Sequence, residues 1–343
     1  MNMELPEISQ LSSESRTDDV FICALGFEDR CTSSLKKLSN SNYSTVNSIF
    51  LRYETNQEDN NKNEIELLEL LGKVSQNKPI EVNYLYSTPR DTIKQLKDVF
   101  NKIGINKIKN ISIDISSFSS SAILQILDTV ISDNLVTLRI IYTEAAEYYP
   151  KKDDTPSEEY LSHGLKDVIT LTNFSGIHSA GYPHLLITFL GFSSIRARAI
   201  YNWYQPSKKI GIIGIPPRQH LEWRIKKQKE IHEKYYSSID KFVELSTFNY
   251  NVVLNTLENL YDEYSSNYNI GIASFGSKLQ TLALLIFLRK HPDVQAIFSV
   301  PKGFNASKYS ESETEIWEII FNVDALQGYL IKPNSQNEII LKQ

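Results

Sequence analysis

Two stretches of this sequence, 165 positions apart, run as apolar strands into the same Leu-Gly-Phe ending: VFICALGF at 20–27 and HLLITFLGF at 184–192. A repeat at that spacing constrains the fold more than any single motif, because it commits the chain to two copies of one topology. The correspondence continues in order. Residues 46–54 match 211–219, and residues 81–86, followed by a helical pattern, match 243–248. IDISSFSSS at 113–121 aligns with IGIASFGSK at 270–278, and RIIY at 139–142 with AIFS at 296–299, both at an offset of 157. Five matches in one order point to a diverged internal duplication. The competing reading is two unrelated domains whose strands look alike.

Within the first copy, short β-branched runs alternate with helical patterns at 63–74, 91–103 and 121–132. Strands separated by helices pair in parallel through right-handed crossovers. The expected fold class is therefore α/β, with two tandem Rossmann-like open parallel-sheet halves related by internal duplication. A chain of 343 residues has room for two such cores. The expected organisation is a flexible leader at 1–18, a first half at 19–150 and a second half at 184–343. Between them, 151–183 is a polar linker that adds a strand near 168–171, and 338–341 is read as an edge strand or tail.

Several classes are disfavoured early. The longest apolar runs, such as 185–191 and 282–288, fall short of the roughly 20 residues that span a bilayer, so no membrane partner is expected. The first 18 residues are polar and acidic, unlike a secretory signal. Two cysteines, Cys23 and Cys31, are too few to staple domains of this size and suit a reducing, cytoplasmic setting. Cys31, near a helix start, is considered as an activated thiol, but no partnering histidine is identifiable. Histidines are scattered without zinc-ligand spacing, so no metal is expected. A net charge of −5 gives the whole chain no electrostatic case for nucleic acid. Residues 191–235 nonetheless hold ten Lys or Arg against three acids, whereas 26–73 holds six against eight. The helical pattern from Arg218 to Tyr236 in that basic stretch reads as a solvated face or as a contact for a nucleic-acid backbone or a protein.

In open parallel sheets, ligands bind beyond the carboxyl ends of the strands, at helix N-termini and the switch point. That rule selects four loop sets. After strand one stand Gly26, Glu28, Asp29 and Arg30 in the first half, and Gly191, Ser193, Ser194 and Arg196 in the second. A glycine lets backbone approach a ligand, and the following helix offers N–H groups to an anion; the same loops also read as tight turns. Neither is a dinucleotide fingerprint or a P-loop, and no cofactor is expected. After strand four, Ser274, Gly276, Ser277 and Lys278 have the chemistry to hold a phosphate, with a cation at the positive end of a helix. Their counterparts, Asp114, Ser116 and Ser117, lack the lysine, and serines at helix starts also serve as caps. After strand five come Glu144 and Glu147 in one half and Lys302 in the other, and after strand two comes Arg218. First-half loops are thus acidic and second-half loops basic. That complementarity reads equally as a ligand pocket at the seam or as a contact between the halves.

The strand-four turn Ser274-Phe-Gly-Ser-Lys278, following a Gly-containing strand-one loop, resembles CARF domains, the Rossmann-like sensors of cyclic oligonucleotides in bacterial defence. A fused pair is similar to the SAVED arrangement. The resemblance implies ligand contacts from Gly191, Ser193, Ser194, Gly276, Ser277 and Lys278. The first half departs from it, with Ser119, Ser120 and Ser121 replacing the glycine and the cation. With little chain after residue 322, it also implies a separate effector or partner protein.

The leading expectation is a binding or sensor protein for a phosphorylated, nucleotide-like small molecule at the seam of the halves, within anti-phage defence. The alternatives are a nucleotide-processing hydrolase or transferase using Glu28, Asp114 and Glu144 as acid–base groups, and a protein-interaction subunit.

Overall fold

The computed structural model describes residues 5–131, 135–235 and 239–331. The first half runs β1 (Ser9–Gln10), β2 (Arg16–Leu25), α1 (Ser33–Ser39), β3 (Tyr43–Tyr53), α2 (Gln57–Asn60), α3 (Glu64–Val74), β4 (Ile80–Tyr84), α4 (Pro89–Ile103), β5 (Asn110–Asp114), α5 (Ser120–Val130) and β6 (Thr137–Tyr148). The second runs β7 (Ser162–Ser175), β8 (His184–Leu190), α6 (Ser194–Tyr204), β9 (Lys208–Ile215), α7 (Trp223–Tyr235), β10 (Lys241–Ser246), α8 (Tyr250–Tyr264), β11 (Asn269–Ser274), α9 (Lys278–Lys290), β12 (Gln295–Phe304), β13 (Ser310–Asn322) and α10 (Val323–Ile331).

The parallel cores have the same strand order: β4-β3-β2-β5-β6 in one sheet and β10-β9-β8-β11-β12 in the other. Each strand pair matched in the sequence, β2 with β8 through β6 with β12, occupies the same place in its sheet. The fold is α/β with two Rossmann-like halves. Central strands are buried on both faces, β2 from Val20 onward and β8 from Leu185 onward, because helices cover both sides of a parallel sheet.

The halves are interlocked by their edge strands. β7 pairs antiparallel with β12, from Ser162 opposite Phe304 to Ser175 opposite Gln295, a far longer strand than the 168–171 expected of the linker. β13 then leaves the second half and pairs antiparallel with β6 of the first, with Trp317 opposite Tyr142. Within the expected second half, 184–343, the chain thus crosses to the other sheet at residue 310. The physical reason is edge occupancy. β7 already covers the open edge of β12, while the edge of β6 offers unpaired backbone groups that β13 satisfies, burying Ile316, Ile319 and Phe321. The register is pinned by a buried ion pair, Arg139 Nε to Glu318 Oε2 at 2.6 Å, both under 5% exposed. The segment expected as a loose leader is held by the same strand: Ser9 and Gln10 pair with Glu318 and Trp317, and Leu11 is buried. The 338–341 strand or tail lies outside the described residues.

The two halves also pack helix on helix. α9 is buried along residues 279–288, polar Gln280 and Thr281 included, because it is covered by its own sheet, by α8 and by the equivalent helix α5 of the first half. Arg289 of α9 pairs with Asp128 of α5 at 2.8 Å across this contact.

Candidate functional site

The switch point of the second sheet lies between β8 and β11, where successive crossovers leave in opposite directions. Their two following loops touch. A Cβ on Gly191 would stand 2.6 Å from the Phe275 carbonyl oxygen, and one on Gly26, at the equivalent place in the first half, 2.8 Å from the Ser117 Cβ. Both glycines let the strand-one loop cross the strand-four loop, a packing role. Ser277 caps α9 in a reciprocal box. Its Oγ accepts from the Gln280 N–H at 3.1 Å, Gln280 Oε1 accepts from the Ser277 N–H at 2.9 Å, and the Ser277 hydroxyl donates to the Thr247 carbonyl at 2.5 Å. Gly276 is small because its Cβ would fall 2.2 Å from that glutamine oxygen.

Beyond these loops opens a cavity of about 210 Å³. Phe192, Phe248 and Phe275 wall it from the second half, and Tyr142, Tyr148, Tyr149 and Tyr309 from the side of β6 and β13. Three cations line it, Arg30, Arg224 and Lys278, against one acid, Glu144. That acid is already taken by Arg218 at 2.8 Å. Arg30 is neutralised by Glu28 at 2.8 Å. Arg224 and Lys278 have no carboxylate partner among the described residues. Arg224 donates to the carbonyls of Tyr148, Tyr149 and Pro150 at 2.9–3.1 Å and lies 4.4 Å from the Phe192 ring centre. Burial pulls its pKa down to about 10. The Lys278 ammonium donates to the Phe118 carbonyl of the first half. Its side chain keeps some exposed surface but is set deep among protein atoms, and this desolvation pulls its pKa down to about 8, opposed by the nearby Glu28 and reinforced by Arg30.

The first half does not repeat this opening. At its switch point the space shrinks to about 50 Å³, and Lys278, Phe304 and Tyr309 from later in the chain form part of its wall. Phe304 is fastened there by a two-way bond with Asn56, its N–H to Oδ1 and its carbonyl from Nδ2, both at 2.8 Å.

The structure sorts the candidate residues accordingly. Arg30, Glu144, Gly191, Gly276, Ser277 and Lys278 line the large cavity, and Gly26, Glu28 and Ser117 the closed one. Ser193, Arg196 and Ser274 line a third space beside Lys278. Asp114, Ser116, Ser194, Arg218 and Lys302 line none of the three. Asp114 is buried beneath the loops, accepting from the Ser34 and Ser116 hydroxyls and from the Ser116 N–H at 2.8 Å; burial raises its pKa despite those bonds. Ser116 also accepts from the Thr143 N–H at 2.8 Å. Lys302 is exposed, as are Asp29 and Glu147. Ser194 is fully buried at the start of α6. Arg218 is a clasp: besides Glu144 it donates to the Ala145 and Ala146 carbonyls at 2.7 and 2.9 Å.

The acidic-basic complementarity is thus used in part as a contact between the halves. Arg218, Arg224 and Lys227 grip carbonyls of residues 145–154, so the basic stretch spends part of its charge inside the protein. Cys31 is no activated thiol: burial is the main force pushing its pKa up to about 12. Both cysteines are free. Among the described residues no group of three or more His, Cys, Asp or Glu is arranged to hold a metal ion, and no helix is long and apolar enough to cross a membrane.

Sequence reasoning missed the aromatic lining, above all Tyr309, which borders all three spaces, and it did not single out Arg224. The signal present in the sequence was the tyrosine cluster at 142–149 beside an arginine-bearing helix. What was hidden was the return of β13, which brings Tyr309 back to the seam. Against this geometry stand the comparisons with known proteins: no protein-family model matches the chain, and no curated protein is significantly similar to it.

Proposed function

We propose that the chain is a binding or sensor protein for a phosphorylated, nucleotide-like ligand held at the second-half switch point, against the seam of the two halves. The observation that carries this reading is the pairing of two cations lacking acid partners, Lys278 and Arg224, with a wall of seven aromatic rings in one cavity. A phosphate answers the charge and a base or ribose face answers the rings. Arg224 contributes through its field, since most of its donors already serve carbonyls; the Lys278 ammonium is the direct contact. A volume of about 210 Å³ lies below the roughly 300 Å³ where drug-sized pockets begin, which suits one nucleotide unit at this position.

The enzymatic reading is less favoured. Glu28 and Glu144 are each bound to an arginine, and Asp114 reaches none of the three cavities. A place among CARF/SAVED-type sensors of bacterial anti-phage defence, with a separate effector, is the context we propose for such a binder.

A thermal-shift panel of mononucleotides, dinucleotides and cyclic oligonucleotides tests the reading. A ligand at about 100 times its Kd adds about 2.7 kcal/mol, enough for a shift of several degrees. A shift with the ligand recovered intact supports a sensor. Conversion of the ligand would replace that reading with an enzyme, and the absence of any shift would leave the protein-interaction subunit.

A further inference from the structure

Beside the large cavity lies a smaller one of about 80 Å³, and its wall holds two cations, Arg196 and Lys278, and no acid. Arg196 is only 8% exposed. Its guanidinium sits 4.9, 5.3 and 5.6 Å from the ring centres of Phe275, Phe298 and Phe304, all three of which line the same space. Its Nε donates to Ser299 Oγ at 3.2 Å and its Nη2 to the Ser299 carbonyl at 3.0 Å, both neutral acceptors. Nη1 has no acceptor among the described residues.

A buried cation without an anion is costly, and ring faces offset only part of that cost. An anion entering this space would meet Arg196 and Lys278 together, with hydroxyls of Ser119, Ser120 and Ser193 also on the wall. The space exceeds two liquid-water volumes of about 30 Å³ each, so it admits a tetrahedral oxyanion and excludes a nucleoside. Lys278 lines both this cavity and the larger one, with Gly191, Phe275 and Gly276 common to their walls.

We propose that the ligand carries two phosphate groups separated by no more than one nucleoside, the first beside Lys278 and Arg224 in the larger cavity and the second between Lys278 and Arg196 in the smaller one. This rests on the nucleotide reading above and adds the class of nucleotide. Nucleoside diphosphates and 5′-phosphorylated dinucleotides share that chemistry.

Titration calorimetry on the full chain would compare the four common nucleoside 5′-monophosphates with the matching 5′-diphosphates and with 5′-phosphorylated dinucleotides. One additional charge-assisted contact set predicts at least about 10-fold tighter binding of a two-phosphate ligand than of its monophosphate. The arm that gains more, diphosphate or dinucleotide, identifies the source. Arg196→Gln is expected to weaken the two-phosphate ligand more than the monophosphate, bringing their ratio towards one, while Arg196→Lys retains part of it. Equal affinity of the wild-type protein for both classes would overturn the inference while leaving the nucleotide reading intact. The same comparison in the wild type decides the matter if Arg196→Gln fails to fold. Binding of no nucleotide at all would overturn both.

Discussion

At the scale of single residues, Lys278 decides most. Its pKa is drawn down to about 8 because its ammonium is desolvated, so its charge disappears as pH rises through that value. Binding of a phosphate that depends on it should weaken between pH 7 and pH 9, a dependence titration calorimetry would read directly. The effect on folding has the opposite sense. A lysine with a lowered folded pKa holds fewer protons than the unfolded chain between about 8 and 10.5, so its own contribution to stability rises with pH across that window. Lys278→Met should therefore leave the melting temperature at pH 7 no lower than that of the wild type while abolishing the nucleotide-induced shift. A variant that melts far lower would assign the lysine to the fold. The residue was legible in the sequence because a cation beside Gly-Ser at a helix start is an uncommon combination. The confinement of Asp114 and Glu144 was not, since their partners Ser34 and Arg218 are chosen by tertiary packing; that of Glu28 depends on a local turn that brings Arg30, two residues on, back to it.

At the scale of elements, α7 is tied to the strand-one loop by His232, whose Nε2–H donates to the Gly191 carbonyl at 2.8 Å. Burial lowers its pKa to about 4 from an ordinary value of 6.5. Below pH 6.5 the unfolded chain takes up a proton the folded one refuses, so this contribution to stability is lost as pH falls from about 6.5 towards 4. The slope has an upper limit of about 1.4 kcal/mol per pH unit. His232→Gln should flatten that part of an acid denaturation profile; an unchanged slope would mean the histidine charges freely in the folded state. Helix positions were readable from periodicity, as α4 at Pro89–Ile103 shows against an expected 91–103. The seat of α7 was not, because its basic sequence reads as a solvated or backbone-binding face, whereas Arg224 turns to carbonyls of the other half and Lys227 to those of the linker.

At the scale of the whole molecule, the halves share an architecture but not independence. β13 completes the first sheet from the far end of the chain, and α5 packs on α9. Removing one partner of the buried Arg139–Glu318 pair, as in Glu318→Ala, should cost about 3–5 kcal/mol. It should lower a single calorimetric transition instead of splitting it; two separate transitions in the wild-type protein would mean the halves fold alone. The repeat made the two cores legible before any coordinate. It could not reveal which edge β13 would choose, because that depends on β7 having already filled the other one. The same asymmetry separates the two switch points, one open and one narrowed with Phe304 at its wall. The measurement that tests this most directly is amide hydrogen exchange of the full chain, with and without the nucleotide giving the largest thermal shift. Protection is expected at residues 191–196 and 274–280, with little change at 26–30. Protection confined to the first-half loop, or none at either, would contradict it.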